Sequence, residues 1–478
     1  MGFVDTVFYH GKTVPHRPAI ILMDRVVTYA MLADAIRWVT ARCQDAGIKA
    51  GETVAIMIEN PIRHLTVAYA LRRLGAVTVS ARGDQMSELP ALGTRIVMTA
   101  ARGVVLPGGR TVLVDDTWFT PRPVPQLVRD PSWDDPGRVM LLALTSGTTG
   151  RNKAIAFTVA EFEARLHVLT NYHWAQGNDR DLLLVGLSSQ WALSEVARSL
   201  SAGRTMCFAA DAGEALRMID FYQVGILVGS PQQLRVVVDS WAETPATCAS
   251  LHLVMIAGGA LSPGLAEQIR RHICPRLLLS YGSTEAGKTA IAPAELLRDM
   301  PYSTGYVVPT AEVEIVDDLD QVLPPGQQGR IRIKAPAGGR PYQAGDLYPD
   351  QTPDWFYPGD IGSLSEAGVL TVFGRADDLI NAGGLKLAPE RVEELVADHD
   401  AVADAAAFGV AGASDVEQIW LAVVARRPVA EAELRAWCAR KSADLVPERI
   451  VVVGAIPRNA MGKVERRRLR DQVTGQPH

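Results

Sequence analysis

The chain runs to 478 residues with 48% hydrophobic and 21% charged content, enough apolar material for the cores of about two to four globular domains. Its formal net charge of −5 supplies no basic field of the kind nucleic acid requires, so no nucleic-acid partner is expected and any nucleotide should be a small ligand held in a site. The five cysteines are scattered and never paired as C-x-x-C, and the nine histidines show no metal-ligand spacing. With no charged-then-apolar leader and no apolar run of about 18 residues, the reading is a cytoplasmic chain in a reducing compartment that does not enter a membrane. Met1 to Thr6 fits the N-myristoylation pattern, but that pattern is too permissive to count against this.

In chain order, Ala19 to Met23 reads as a short strand. Thr28 to Ala46 places Ala30, Leu32, Ile36, Val39 and Cys43 at helical spacing behind a Thr cap. Thr53 to Ile58 is a second apolar strand, Asn60-Pro61 starts a helix through Arg73, and Gly75 to Val79 leads into another strand. Such alternation predicts a doubly wound parallel sheet. Phe119 to Arg138 carries five prolines and reads as an irregular connection.

This connection delivers the chain to a short apolar run (Val139 to Leu142) and then to Leu-Thr-Ser-Gly-Thr-Thr-Gly-Arg-Asn-Lys-Ala, Leu144 to Ala154. Gly147 and Gly150 let backbone approach a ligand, while the hydroxyls of Thr145, Ser146, Thr148 and Thr149 and the Lys153 ammonium can all bond phosphate oxygens. A polar turn between strands needs less than this. The Walker loop fails on spacing, because Asn152 and Ala154 stand where G-x-x-x-x-G-K-[ST] requires Gly and a hydroxyl.

Beyond Lys153 the alternation resumes, with helices near Val159 to Tyr172 and Leu193 to Leu200 and strands at Asp181 to Leu187 and Thr205 to Ala209. Leu251 to Ile256 then runs into Ala257-Gly258-Gly259-Ala260, and Arg276 to Leu279 into Ser280-Tyr281-Gly282-Ser283-Thr284-Glu285. Ligands of open α/β sheets bind beyond the carboxyl ends of strands, so these loops and the glycine-threonine loop are expected to face one cleft.

Taken together, these stretches resemble the adenylate-forming superfamily of acyl- and aryl-CoA synthetases, peptide-synthetase adenylation domains and luciferases. Thr145 to Ala154 resembles its phosphate-binding motif, Tyr281 to Glu285 its Y-G-x-T-E motif and Tyr357-Pro358-Gly359-Asp360 its T-G-D motif. Gly374-Arg375-Ala376-Asp377-Asp378 with Gly384 resembles the hinge motif, and Pro457 to Lys463 the P-R-x-x-x-G-K motif. The order and spacing of all five cover nearly the whole chain.

The resemblance implies an α/β fold with a large N-terminal domain (1–376) of doubly wound βα subdomains and a small β-barrel-like subdomain. A small mobile α+β domain (377–478) follows, hinged near Asp377. It further implies ATP, Mg²⁺ and coenzyme A, or phosphopantetheine on an acyl carrier protein, acting on a small carboxylic acid. Thr284 would bond a phosphate, Glu285 would ligate Mg²⁺, and Tyr281 would stack on adenine beside Gly258, Gly259 and Ala260, with Gly282 and Ser283 completing the nucleotide wall. Asp360 would accept both ribose hydroxyls, supported by Arg375, since a carboxylate offers two acceptor oxygens and no donor. Pro358 departs from the motif's Thr. Lys463 would bridge the substrate carboxylate and the α-phosphate, while Arg466, Arg467, Arg468 and Arg470 beside it read as a solvated face.

Helix Pro389 to Val396 and strands Ala405 to Val410 and Ile419 to Ala425 belong to the small domain. The acyl pocket would be lined near Ser188 to Trp191, Ser230-Pro231, Gly258-Gly259 and Ser280 to Ser283. Trp191, if it points inward, would favour an aryl or short acyl acid; it reads equally as core. Lys288 reads as a surface residue, with a second negative group on the substrate as the alternative. Gly384 marks the passage of a pantetheine arm. No carrier domain follows Lys463, so a free-standing CoA ligase is expected first and a ligase loading a carrier protein second. A nucleotide-binding pseudo-enzyme is a third reading, motivated by Asn152, Ala154 and Pro358.

Overall fold

The computed structural model describes residues 2–124, 135–146, 152–171, 179–300, 303–335, 338–343, 346–347, 355–382, 385–397, 399–412, 417–442, 445–458 and 462–475. Two large sheets carry the N-terminal part. In the first, Val139–Ser146, Val77–Ser80, Thr53–Met57, Ile96–Thr99 and Arg110–Leu113 lie parallel in that order. In the second, Leu277–Ser283, Leu253–Ala257, Ile226–Gly229, Arg180–Leu183, Thr205–Phe208 and Pro18–Leu22 lie parallel in that order. Their interior strands are apolar on both faces, as parallel strands covered by helices must be.

Helices Phe3–Thr13, Tyr29–Asp45, Pro61–Arg73, Val159–Asn171 and Gln190–Ser201 fill the space between the sheets. A single apolar cluster runs from Val54, Ile56 and Ile96 of one sheet through Ile36, Leu65 and Val196 to Ile20, Leu183 and Ile226 of the other. Thr28 caps the Tyr29 helix by accepting from Met31 N at 3.3 Å, and Asn60 caps the Pro61 helix from Arg63 N at 3.1 Å. Each such cap stabilises its helix by about 1 kcal/mol. Helices Ala212–Phe221, Pro231–Glu243 and Pro263–His272 cover the second sheet's outer face through a separate cluster around Leu227, Val254 and Ile256.

Beyond Leu277–Ser283 the second sheet turns antiparallel, adding Gly287–Pro293, Ser303–Val307, Val369–Arg375, Asp360–Leu364, Gly329–Lys334 and Glu312–Val316. These strands occupy the place of the expected small β subdomain, with a core around Ile315, Ile331 and Leu370. Apolar clusters then change over: none of those described so far extends past Val372, and the next starts at Ile380. The C-terminal part is a three-stranded sheet (Val402–Ala411, Glu417–Ala425, Arg449–Val452) packed with helices Pro389–Ala397, Glu431–Lys441 and Arg466–Thr474.

Several expectations change. The strand expected from Asp181 to Leu187 ends at Leu183. Ser280 to Ser283 continues its strand and turns back as an antiparallel hairpin instead of opening a loop. Arg466 is buried, not solvated: the helix face carrying Arg466 and Leu469 packs inward, and the Arg466 guanidinium donates to Glu390 Oε1 and Glu393 Oε1 at 2.7 Å each. Arg467 and Arg468 are exposed as expected.

Candidate active site

A cleft of about 1750 Å³ opens where the second sheet turns from parallel to antiparallel, between the large part and the C-terminal sheet. Gly258, Gly259 and Ala260 reach it on the loop after Leu253–Ala257, with Gly258 at φ +86°, a conformation that glycine adopts without steric cost. Across from them runs the hairpin Leu277–Ser283 / Gly287–Pro293. At Gly282 the two strands press so close that a Cβ would sit 2.0 Å from the Gly287 carbonyl oxygen, so only glycine fits.

On this hairpin Tyr281 donates its hydroxyl proton to Asp360 Oδ2 at 2.5 Å. Asp360 stands directly opposite Arg375 in the antiparallel register, with Arg375 Nε 3.8 Å from Asp360 Oδ1. Two neighbouring motifs thus become one cross-strand pair, and Tyr281, 79 residues from Asp360, joins it. Burial pushes the Asp360 carboxyl above the usual carboxylate range, outweighing the Tyr281 hydrogen bond and the charges of Arg375 and Lys463. Burial and the Asp360 charge likewise raise the Tyr281 hydroxyl.

Lys463 enters from the C-terminal part. Burial and the Arg375 charge lower its ammonium below the ordinary lysine value, against the pull of Asp378, Asp360 and Glu390. Its neighbour Gly462, at φ +76°, lies so close to the start of helix Pro231–Glu243 that a Cβ would come 2.9 Å from Gln232 Cβ. Arg458 fastens the same turn, donating from Nη1 to the Gly462 carbonyl at 2.7 Å and from Nη2 to Asp404 Oδ1 at 2.7 Å. The Pro-Arg and Gly-Lys ends of the motif therefore act together: the arginine holds the turn that presents the lysine.

Val139–Ser146 and Asn152–Thr158, on either side of the middle of the glycine-threonine stretch, pair antiparallel with Thr145 opposite Lys153. A strand thus precedes it and a strand follows it, where a Walker loop leads from strand to helix. Thr145 lines the cleft and donates its hydroxyl to the Lys153 carbonyl at 3.3 Å; Lys153 itself is exposed. Gly147, Thr148, Thr149 and Gly150 lie outside the described residues, as does Gly384, and Ser146 is described only as backbone.

Thr284 and Glu285 line the cleft at the turn of the Tyr281 hairpin, and Ser283 Oγ accepts from Ala286 N at 3.0 Å within that turn. A residue missed from sequence holds them. The buried Arg165 donates from Nη2 to the Thr284 carbonyl at 2.8 Å and reaches the Glu285 carbonyl at 3.4 Å, its guanidinium lying 4.6 Å over the Phe157 ring. Burial lowers Arg165 to about 10. In sequence Arg165 is one more charge on a helix, 119 residues from its partner, and nothing local marks it.

The cleft's donor set fits an anionic nucleotide. Glycine-loop backbone, the Thr145 and Thr284 hydroxyls and the Lys463 ammonium are groups able to bond phosphate oxygens, and a carboxylate such as Asp360 is able to accept from hydroxyls. Glu285 fits Mg²⁺, a hard cation that takes one or two carboxylates and completes its shell with phosphate oxygens and water.

Two further residues border the cleft. Trp191 packs on the apolar core and borders the cleft, donating Nε1 to Glu195 Oε1 at 3.3 Å. Lys288 is not the surface lysine expected: its Nζ is enclosed and finds no hydrogen-bond partner among the described residues, and burial lowers its ammonium.

Comparison with known proteins places this architecture. The AMP-binding enzyme family model matches residues 7–343, and that of the AMP-binding enzyme C-terminal domain matches residues 391–463. The chain is 28% identical over 484 residues to a 2-succinylbenzoate–CoA ligase of Bacillus licheniformis, covering 96% of this chain and 98% of that one. It is 25% identical over 492 residues to the salicyl-AMP ligase / salicyl-S-ArCP synthetase of Mycobacterium tuberculosis, covering 94% and 85%. Among solved structures, the anthranilate CoA ligase AuaEII in complex with anthranoyl-AMP superposes with a TM-score of 0.87 at 20% identity, covering 99% of this chain and 97% of that one.

Proposed function

We propose, from the premise that this chain belongs to the AMP-binding enzyme family, that it is an acid–thiol ligase that makes an acyl-adenylate from a carboxylic acid and ATP and passes the acyl group to a pantetheine thiol. The observation that carries this reading is the meeting in one cleft of Tyr281, Asp360 and Arg375 with Lys463 from the C-terminal part. A carboxylate oxygen attacks the α-phosphorus of ATP, the bond from that phosphorus to the bridging oxygen breaks, and pyrophosphate leaves. The thiolate sulfur then attacks the acyl carbon, and the bond to AMP breaks. The first step brings an anion against a polyanion, so the protein's task is positioning plus positive charge where negative charge crowds.

Asp360 would take the ribose hydroxyls, with Arg375 and the Tyr281 hydroxyl fixing its orientation. Thr145, Ser146, Gly147, Thr148, Thr149, Gly150 and Lys153 would hold phosphates, as would Thr284. Glu285, aimed by Arg165, would hold Mg²⁺, which when bound neutralises charge on the phosphate oxygens. Lys463 would bridge the substrate carboxylate and the α-phosphate. We place the domain boundary near Asp377, where the apolar clusters change over, and assign residues 377–478 to the part that moves between the two steps.

Coenzyme A is the acceptor this reading favours, as for the Bacillus licheniformis relative; the salicyl-S-ArCP synthetase of Mycobacterium tuberculosis supports a carrier protein as the second choice. The names of all three compared proteins favour an aryl acid, and Trp191 beside the cleft agrees. Among the described residues no helix is long and apolar enough to cross a membrane, and the five cysteines are free, which supports the cytoplasm as the compartment. Pyrophosphate release from ATP and Mg²⁺, with hydroxylamine as acceptor and a panel of aryl and alkyl acids, tests the proposal. An acid-dependent signal with AMP as co-product is expected; ADP with phosphate, or ATP bound without turnover, would refute it.

A further inference from the structure

We infer that Lys288 reads a second anionic group on the acid, so that the preferred substrates are dianionic: one carboxylate is activated and a second anion is held at Lys288. This rests on the acid-activating reading above.

Lys288 pairs with Gly282 across the hairpin, three residues beyond Glu285, and lines the cleft. An ammonium has three N–H donors and no acceptor, and leaving it enclosed without a hydrogen bond is costly. Here Nζ is enclosed and without a partner among the described residues. Glu195, the acidic residue of helix Gln190–Ser201, and Asp181 of strand Arg180–Leu183 already serve other donors. Glu195 Oε1 accepts from Trp191 Nε1 at 3.3 Å, and Glu195 Oε2 accepts from Arg198 Nε at 2.9 Å. Arg198 Nη2 in turn donates to Asp181 Oδ2 at 2.8 Å, and Arg204 Nη2 donates to Asp181 Oδ1 at 2.6 Å. Burial lowers the Lys288 ammonium, while Glu195 attracts it and Arg198 repels it.

The surroundings suit a polar acid. Gln190 Oε1, on the same helix and also lining the cleft, is likewise enclosed without a partner among the described residues, and Trp191 lines the same cleft. Lys463 and Lys288 come from different parts of the chain, and a dianionic acid gives each cation its own anion: the reacting carboxylate for Lys463, the second group for Lys288. The competing possibility is that Lys288 serves only as an internal counter-charge to Glu195.

The test compares kcat/KM in the hydroxylamine assay for benzoate against the benzenedicarboxylates, and for linear monoacids against dicarboxylates of the same length, in wild type, Lys288→Met and Lys288→Arg. In the wild type the best diacid should exceed its matched monoacid by about 10-fold or more, the scale of one charge-assisted hydrogen bond in an enclosed site. Lys288→Met should bring that ratio to about one, and Lys288→Arg should keep it above one. Wild-type enzyme that favours no diacid, or Lys288→Met enzyme that keeps the ratio, overturns the inference while acid activation stands. Should Lys288→Met fail to fold, the wild-type and Lys288→Arg ratios decide. Silence with every acid while ATP still binds overturns the underlying reading, and this inference with it.

Discussion

Replacing Lys463 by alanine removes the one charge that the C-terminal motif is assigned to bring to the reacting atoms. In the cleft that ammonium sits among Asp360, Asp378 and Glu390, which draw it in, and Arg375, which opposes it. A unit charge about 4 Å from developing phosphate charge is worth up to about 4 kcal/mol at an effective dielectric of about 20. Loss of one preorganised donor costs about 10² to 10³ in rate, which agrees. Lys463→Ala should therefore slow ATP–pyrophosphate exchange by about 100- to 1000-fold. Thioester formation from supplied acyl-adenylate should be spared, because that step begins after the α-phosphate has reacted. Equal loss in both half-reactions would refute the assigned role, and so would unchanged exchange.

Arg165→Met keeps the apolar stem but deletes the donors to the Thr284 and Glu285 carbonyls; KM for MgATP should rise by about 10-fold with the fold intact by circular dichroism, and unchanged nucleotide kinetics would contradict the positioning role. Gly282→Ala drives a Cβ into the Gly287 carbonyl, so a loss of about 1–3 kcal/mol in thermal or denaturant unfolding should accompany loss of adenylation, and a stable, active variant would refute the close approach. Asp377→Pro, by stiffening the assigned hinge, should leave exchange within about 3-fold of wild type while cutting thiol transfer by about 10-fold or more; parallel effects on both would contradict the boundary.

What the sequence reveals of this fold follows from how local each signal is. The Tyr29 and Pro61 helices announce themselves through their Thr28 and Asn60 caps and their apolar spacing, and the structure begins them at those caps. Phe3–Thr13 escapes notice because it is short and its buried residues, Phe3, Val4 and Val7, are too few to stand out as a periodic face. In the cleft, the resemblance already joins Arg375 to Asp360, and the strand register shows how, by setting the two opposite each other. The hydrogen bond from the Tyr281 hydroxyl to that carboxylate is not legible in the motifs. Charged side chains mislead most. Lys288 and Arg466 look like surface residues in sequence, and one faces an enclosed cleft wall while the other anchors a helix on Glu390 and Glu393. A charge goes inside when a distant partner or a ligand awaits it, and sequence shows neither.

In the proposed reaction an oxygen of the acid becomes bonded to the α-phosphorus of ATP. Turnover of an acid labelled with ¹⁸O in its carboxylate, followed by mass spectrometry of the products, tests it directly, since cleavage of the acyl–oxygen bond by the thiol leaves that oxygen on the nucleotide. One labelled oxygen is expected in the phosphate of AMP and none in pyrophosphate. Unlabelled AMP, or label appearing in inorganic phosphate, would contradict it.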